Sequence, residues 1–500
     1  MSKRTALLFV IVTALLSLAA VASAQDEGMM IGLDHPYAAF LESRAYGASL
    51  GATAEFRKME WTVIDAANNK LYMAMSEVAR GMSDGEGSIS VDENLCGIVY
   101  EADLTDTYDM LELRPLIVGG PYDEANKANP CSVDNISEPD TLAVDGRGRV
   151  WIGEDAGNHE NNMLWVFDPA DGSLKRFGYT PLGAEVTGVY IGKDGSLFFN
   201  VQHPNATNIY PFNASVIGVV NGFNANTDDF EPIAVPEGDA RLMTGVAAGT
   251  YQVLSRLGDA IPNSSKNHIM GGVYDVSGDL MFVGNNADGN MWLPVNEAGT
   301  EGWLYSNHET TPGTISKLYI RKTAEGMWDV LDGEMVDFSS VNGTWINCGA
   351  APSPWNTGLS GEEYEADASD LTSVDAMTDY LDGRLANPYD YGYIVEVWPR
   401  TSTTSRVVKH YVMGRKSNEN AWVAPDNRTV YFGDDGTDTM LFKFIAAEPG
   451  DLSAGTLYAG KVTQSGGTGA DHVFAIEWIE LGTATNDEIQ AAIRELDRAS

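Results

Sequence analysis

A short strand, a tight turn and a second strand recur about six times along this chain, and most copies carry an oxygen- or sulfur-bearing side chain at the same place. One copy reads Glu60-Trp-Thr-Val-Ile-Asp65, a turn at Asn68-Asn69, then Leu71-Tyr-Met-Ala-Met. Another reads Asp140-Thr-Leu-Ala-Val-Asp145, a turn at Gly146, then Val150-Trp-Ile-Gly-Glu154-Asp155. A third starts at Glu419 and ends Val430-Tyr-Phe-Gly-Asp434-Asp435. Weaker copies run from Thr187 to Asn200 and from Gly271 to Asn285-Asn286, and a distorted one starts at Cys348 and ends Gly361-Glu362-Glu363. Repetition of such a unit is the signature of a β-propeller, whose blades bring equivalent positions together around one axis. The fold class expected is all-β, a six-bladed β-propeller with short helical additions near both termini.

Five hundred residues rich in glycine and aromatics, with little helical periodicity, favour one large β body over several mixed domains. The expected division is residues 1–24 as a signal peptide and 25–500 as a single propeller domain, with helical flanks at 25–55 and 482–500. Thr485-Asn-Asp-Glu488 is a capping pattern ahead of Ile489, Ile493 and Leu496, which fall on one helical face. The acidic stretch from Gly361 to Asn387 reads as an excursion between strands.

With 31 basic and 71 acidic residues the net charge is −40, which argues against nucleic acid or an anionic membrane as partner. Lys3 and Arg4, the apolar run Leu7 to Val21 and the small residues Ala22-Ser23-Ala24 have the form of a cleavable secretory signal, and no other stretch is apolar enough to span a membrane. The expected location is therefore secreted or periplasmic, and the expected state a monomer. Of three cysteines, Cys96 and Cys131 are close enough in sequence to pair in an oxidising compartment, which leaves Cys348 odd.

Glu60, Asp140, Cys348 and Glu419 start first strands; Glu154-Asp155, Glu362-Glu363, Asp434-Asp435 and Asn285-Asn286 end second strands. A single acid after a strand commonly just caps a turn in solvent. A matched set is different, because turn chemistry does not call for acids at the strand start in several blades. Carboxylates that converge cannot all ionise without cations. Oxygen donors suit Ca²⁺, and a thiol among them adds a place for a transition metal such as iron. There is no HExxH pair, no GxSxG elbow and no phosphate-binding P-loop.

Asn347-Cys348-Gly349 with Pro354-Trp355-Asn-Thr-Gly-Leu-Ser-Gly-Glu362-Glu363 resembles the Cys-Gly-Gly, Thr-Pro-Trp-Gly-Thr, Glu-Glu block of PhoX-type alkaline phosphatases. Asn307-His308-Glu309, Gly414-Arg415 with Asn418-Glu419-Asn420-Ala421, Phe56-Arg-Lys58-Met-Glu60, Glu138-Pro139-Asp140 and Gln202-His203-Pro204 are similar to further motifs of that family. The order differs: the stretch like 246–481 comes first in the family and the stretch like 40–215 second, so the chain reads as a circular permutation. Two family positions are changed, Lys58 standing for arginine and Asn418 for histidine. Lysine keeps the charge but loses the bidentate fork.

The resemblance implies a secreted phosphomonoesterase with iron and calcium at the propeller axis, acting on small phosphomonoesters. It places Cys348, Glu60, Asp140, Glu362 and Glu419 as metal ligands, Lys58 and Glu60 as catalytic residues, and Lys58 and His203 on the substrate. The alternatives are a calcium-dependent propeller lactonase or esterase, which needs no cysteine, and a non-enzymatic calcium-bound binding propeller.

Overall fold

The computed structural model describes residues 31–499; the expected signal peptide lies outside them. Six four-stranded antiparallel meanders follow one another along the chain. Their inner strands are Met59–Asp65, Pro139–Val144, Glu185–Ile191, Ala287–Pro294, Asn347–Pro352 and Asn418–Val423. Each inner strand contacts the next, and the sixth contacts the first, so the ring is closed. Blade cores are apolar and lie between neighbouring sheets: Trp61, Tyr72 and Val99 of blade 1 pack with Leu142 and Ile152 of blade 2.

Closure is sealed at the rim. The fourth strand of blade 6, Asp451–Ser465, turns into an extra strand, Val473–Thr485, which reaches across to blade 1. There Phe474 pairs with Leu113 and Ala475 with Glu112. The same extra strand carries both terminal additions, the helices Ala38–Leu41 and Ser43–Ser49 and the helix Asn486–Ala499. Phe40, Leu41, Ile489 and Ile493 join one buried cluster. The capping box forms as the sequence predicts, with Glu488 Oε2 accepting from both the N–H and the hydroxyl of Thr485 at 2.8 Å.

One of the six sequence units is misplaced. Gly272–Tyr274 and Leu280–Val283 pair only with each other, as a small separate hairpin with Leu280 and Phe282 exposed. The fourth blade begins after it, at Ala287–Pro294 and Glu301–His308. A glycine turn between two apolar runs fixes a hairpin locally but not its place in the ring. Only burial on both faces marks an inner strand, and Ala287 to Leu293 are all buried. The excursion after Glu362 carries one short α-helix, Asp375–Tyr380, entered through the 3-10 turn Leu371–Val374. The Cys96–Cys131 disulfide forms, and Cys348 is free and buried.

The two halves of the axis differ in polarity. Downstream along the inner strands the lining is apolar, with Trp61, Leu142, Val189, Ala350 and Trp422 around a cavity of about 170 Å³. The upstream half, where the inner strands begin, is acidic. Among the described residues no helix is long and apolar enough to cross a membrane.

Candidate metal centre

In five of the six blades the inner strand carries a one-residue bulge at the same place, directly after its first pair with the second strand: Met59↔Met75, Pro139↔Glu154, Ala287↔His308, Asn347↔Glu362 and Asn418↔Asp434. A bulge re-aims a side chain without ending the strand. The first bulged residues are Glu60, Asp140, Asp288, Cys348 and Glu419, four carboxylates and a thiol, all buried. In blade 3 the shift falls later, between Thr187 and Tyr190, and the acid there is Glu185.

In blades 2, 5 and 6 the second strands contribute through a three-residue device, glycine-acid-acid, and in blade 4 Asn307-His308-Glu309 stands in its place. The glycine admits the neighbouring blade: a Cβ on Gly433 would lie 2.0 Å from the Glu60 carbonyl oxygen, and one on Gly361 2.0 Å from that of Glu419. The first acid staples loops. Glu362 accepts from the N–H groups of Trp345, Gly392 and Tyr393 at 2.8–3.1 Å and pairs with Lys409 at 2.7 Å. Glu154 accepts from Ser137 and Met163 N–H, and Asp434 from Met440 N–H and Arg44. The second acid reaches the axis. Cys348, Glu363 and Glu419 offer donor atoms within 4.8 Å of one another, as do Asp288, Glu309 and Cys348. The Cys348 thiol donates to Glu419 at 3.1–3.2 Å.

Glu362, a ligand expected from the sequence, lies outside both donor groups, and its neighbour Glu363 stands in one of them. Strand alternation sends adjacent side chains to opposite faces, and Glu362 is consumed by the buried Lys409 ammonium. The two glutamates should separate cleanly by mutation. Glu362→Gln leaves Lys409 buried with its charge unpaired and should destabilise the fold by about 3–5 kcal/mol while the folded fraction keeps its metal. Glu363→Gln should melt near the parent and lose metal. Calorimetry and elemental analysis on the same preparations check both.

Lys58 stands at the rim, its Nζ 2.8 Å from Asp435 and 3.4 Å from Glu60. Against the cost of burial, Glu60 and Asp435 hold its pKa well above the usual lysine value. Ser76 donates to Glu60 at 2.5 Å. His203 sits at the mouth on the far side: its Nδ1–H donates to the Gly183 carbonyl at 3.1 Å and its Nε2 meets Glu185. With both nitrogens engaged, His203 is a partner of Glu185 first, and contact with a substrate would require one of these bonds to open.

Burial drives the carboxyl groups up and their neighbours' charges add to it. Glu60 is pushed to about 8 by burial and then by Asp435. Asp140 is raised by burial and then by Glu60 and Asp288, and Glu419 by burial and then by Asp140 and Glu60. Glu363 is raised by burial and by Asp435, and the Cys348 thiol by burial and by Asp288. Asp435 alone goes down: burial opposes its charge, but Lys58 and the hydrogen bonds around it prevail. So many acids in one dry space call for cations. Neither buried oxygen of Asp288 receives a hydrogen bond of good geometry, which is what a donor set built for a metal leaves behind. The oxygens suit hard ions, and Cys348 supplies one softer position.

Asp288 and Glu309, which stand in a donor group with Cys348, were not among the ligands expected from the sequence. The signal for Asp288 was present, in an inner-strand start Ala287-Asp288-Gly289-Asn290 like Asn347-Cys348-Gly349-Ala350. The misplaced fourth hairpin concealed it.

A closed six-bladed propeller whose axis gathers carboxylates and a thiol defines a propeller protein with an axial acid-and-thiol centre. The chain belongs to the alkaline phosphatase PhoX family, whose family model matches residues 30–205 and 317–498. No curated protein matches its sequence. Among solved structures, Pseudomonas fluorescens PhoX in complex with vanadate, a transition state analogue, is 18% identical over 46% of this chain and 54% of that one, with a TM-score of 0.34. The chain thus spans about half of that protein's length. A gluconolactonase from Xanthomonas campestris is 10% identical over 78% and 90% of the two chains, with a TM-score of 0.37. A Penicillium chrysogenum α-L-arabinanase is 8% identical over 86% and 96%, with a TM-score of 0.38. None of these overlaps is close enough to carry substrate or mechanism across.

Proposed function

We propose that this protein is a secreted, metal-dependent phosphomonoesterase that releases phosphate from small phosphomonoesters at the propeller axis, with calcium and iron as its metals. The observation that carries this reading is the pairing of a buried thiol-and-carboxylate cluster with a single lysine at its rim. Glu60, Asp140, Asp288, Glu309, Cys348, Glu363 and Glu419 would hold the metals, Cys348 being the donor suited to iron. Bound cations would polarise the phosphoryl oxygens and offset their charge. Lys58, fixed between Glu60 and Asp435, presents a positive charge where a phosphate arrives at a protein of net charge −40. Beyond a Debye length of about 8 Å the bulk repulsion is screened, so this local charge decides capture. Glu60 fixes Lys58 from below, and Ser76 fixes Glu60.

The disulfide Cys96–Cys131 supports the oxidising location that the leader implies. The exchanged motif order is consistent with circular permutation of a ring. The extra rim strand carries both terminal additions, and the unmatched stretch 206–316 contains the place, between 215 and 246, where the family's own termini would fall.

The test is metal analysis of the purified protein beside phosphomonoester and lactone assays. Lys58→Ala should raise KM for phosphomonoesters by roughly 10–100-fold, since a charge-assisted contact is worth about 1.5–3 kcal/mol, and leave the metals bound. A fully metallated parent that hydrolyses lactones and ignores phosphomonoesters would overturn the reading.

A further inference from the structure

Tyr364 follows Glu363 directly and is held in a left-handed conformation, φ 45°. Glycine and asparagine take such positions easily, and a bulky ring does not. Here the backbone is pinned on both sides: its N–H donates to Ser417 Oγ at 2.8 Å and its carbonyl accepts from Trp345 Nε1 at 2.7 Å. The hydroxyl donates to Asp435 Oδ2 and accepts from Lys58 Nζ at 3.2 Å. The residue is nonetheless 47% exposed. Its hydroxyl is thus fixed inside the rim of the centre while its ring faces outward, with the Lys58 ammonium 5.9 Å from the ring centroid. A ring so exposed adds little to the core, so packing does not account for a tyrosine at a position that a smaller residue would occupy without strain.

We propose that Tyr364 is the specificity-determining residue of this centre: its exposed ring receives the alcohol portion of aryl and other planar phosphomonoesters, and its hydroxyl positions Lys58 for the phosphate. This rests on the phosphomonoesterase reading. Aromatic pairs in offset or edge contact gain binding beyond simple area burial, and a ring beside the phosphate partner is placed to act on the leaving group and not on the phosphoryl oxygens. Ring and hydroxyl are separable by substitution. Tyr364→Asn removes the ring with a residue suited to the left-handed backbone, and Tyr364→Phe keeps the ring and removes the hydroxyl.

The experiment is calorimetric binding of phenylphosphonate and methylphosphonate, which carry no ester bond to cleave, to the full chain with its metals as purified. The parent should bind phenylphosphonate roughly tenfold more tightly than methylphosphonate. Tyr364→Asn should bring the two affinities to parity. Tyr364→Phe should keep the preference and weaken both ligands by a similar few-fold factor. Metal content should match the parent in both variants. An undiminished preference in Tyr364→Asn, or equal binding of the two ligands by the parent, overturns the role of Tyr364 and leaves the phosphomonoesterase reading standing. A metallated parent that binds neither phosphonate overturns both.

Discussion

Cys348→Ser should cut the bound transition metal and the phosphomonoesterase activity together, by about 100-fold or more, while the fold survives. Serine keeps the size but not the softness of the donor, and loss of interactions around a metal site costs about 10–100-fold in affinity or activity even when a ligand itself is spared. Cys348 is the shared member of both candidate donor groups, with Asp288 and Glu309 on one side and Glu363 and Glu419 on the other. Its loss therefore reaches the whole centre. Elemental analysis and a phosphomonoester assay on the same samples check this; retention of iron and activity in the serine variant would remove the metal assignment.

Stripping the metals should reverse the pH dependence of stability. In the metal-free protein Glu60 and Glu138 are pushed to about 8, by burial and then by Asp435 and Asp155 respectively. A carboxyl raised in the fold contributes stability that is complete below its unfolded value, near 4.5, and is lost as pH rises through about 8. Asp140, Glu363 and Glu419 are raised in the same direction. The chelated protein should thus melt lower at pH 9 than at pH 6, by about 5 °C or more. In the loaded protein protons compete with metal for the same oxygens, so stability should fall as pH falls. Scanning calorimetry across that range, with and without chelator, should give slopes of opposite sign.

The propeller was legible because its repeat is local: a strand, a turn and a strand carry their own signals. The C-terminal helix was legible for the same reason, through a capping box and an apolar stripe. Ring register was not. The hairpin at Gly272–Tyr274 and Leu280–Val283 has the turn chemistry of a blade, and its exposed second strand and lack of further strands exclude it. Which member of each acid pair faces the axis was equally hidden, since Glu362 and Glu363 are chemically identical and differ only in strand parity and in the distant Lys409. Glu60, Asp140, Cys348 and Glu419 stood out because each starts its strand at a repeated position. Asp435 was visible as a second-strand acid, but its meeting with Lys58, like that of Tyr364, needed the third dimension, across more than three hundred residues of chain.

The apolar half of the axis makes the propeller a cul-de-sac. A hydrated ion or a phosphate approaching past Trp61, Leu142 and Trp422 would have to shed water with nothing offered in return. On the proposed function, metal loading, substrate arrival and product departure would all use the acidic mouth. A product that lingers there blocks the next arrival, and a chelator must work through the gap that Tyr364 and Lys58 partly fill.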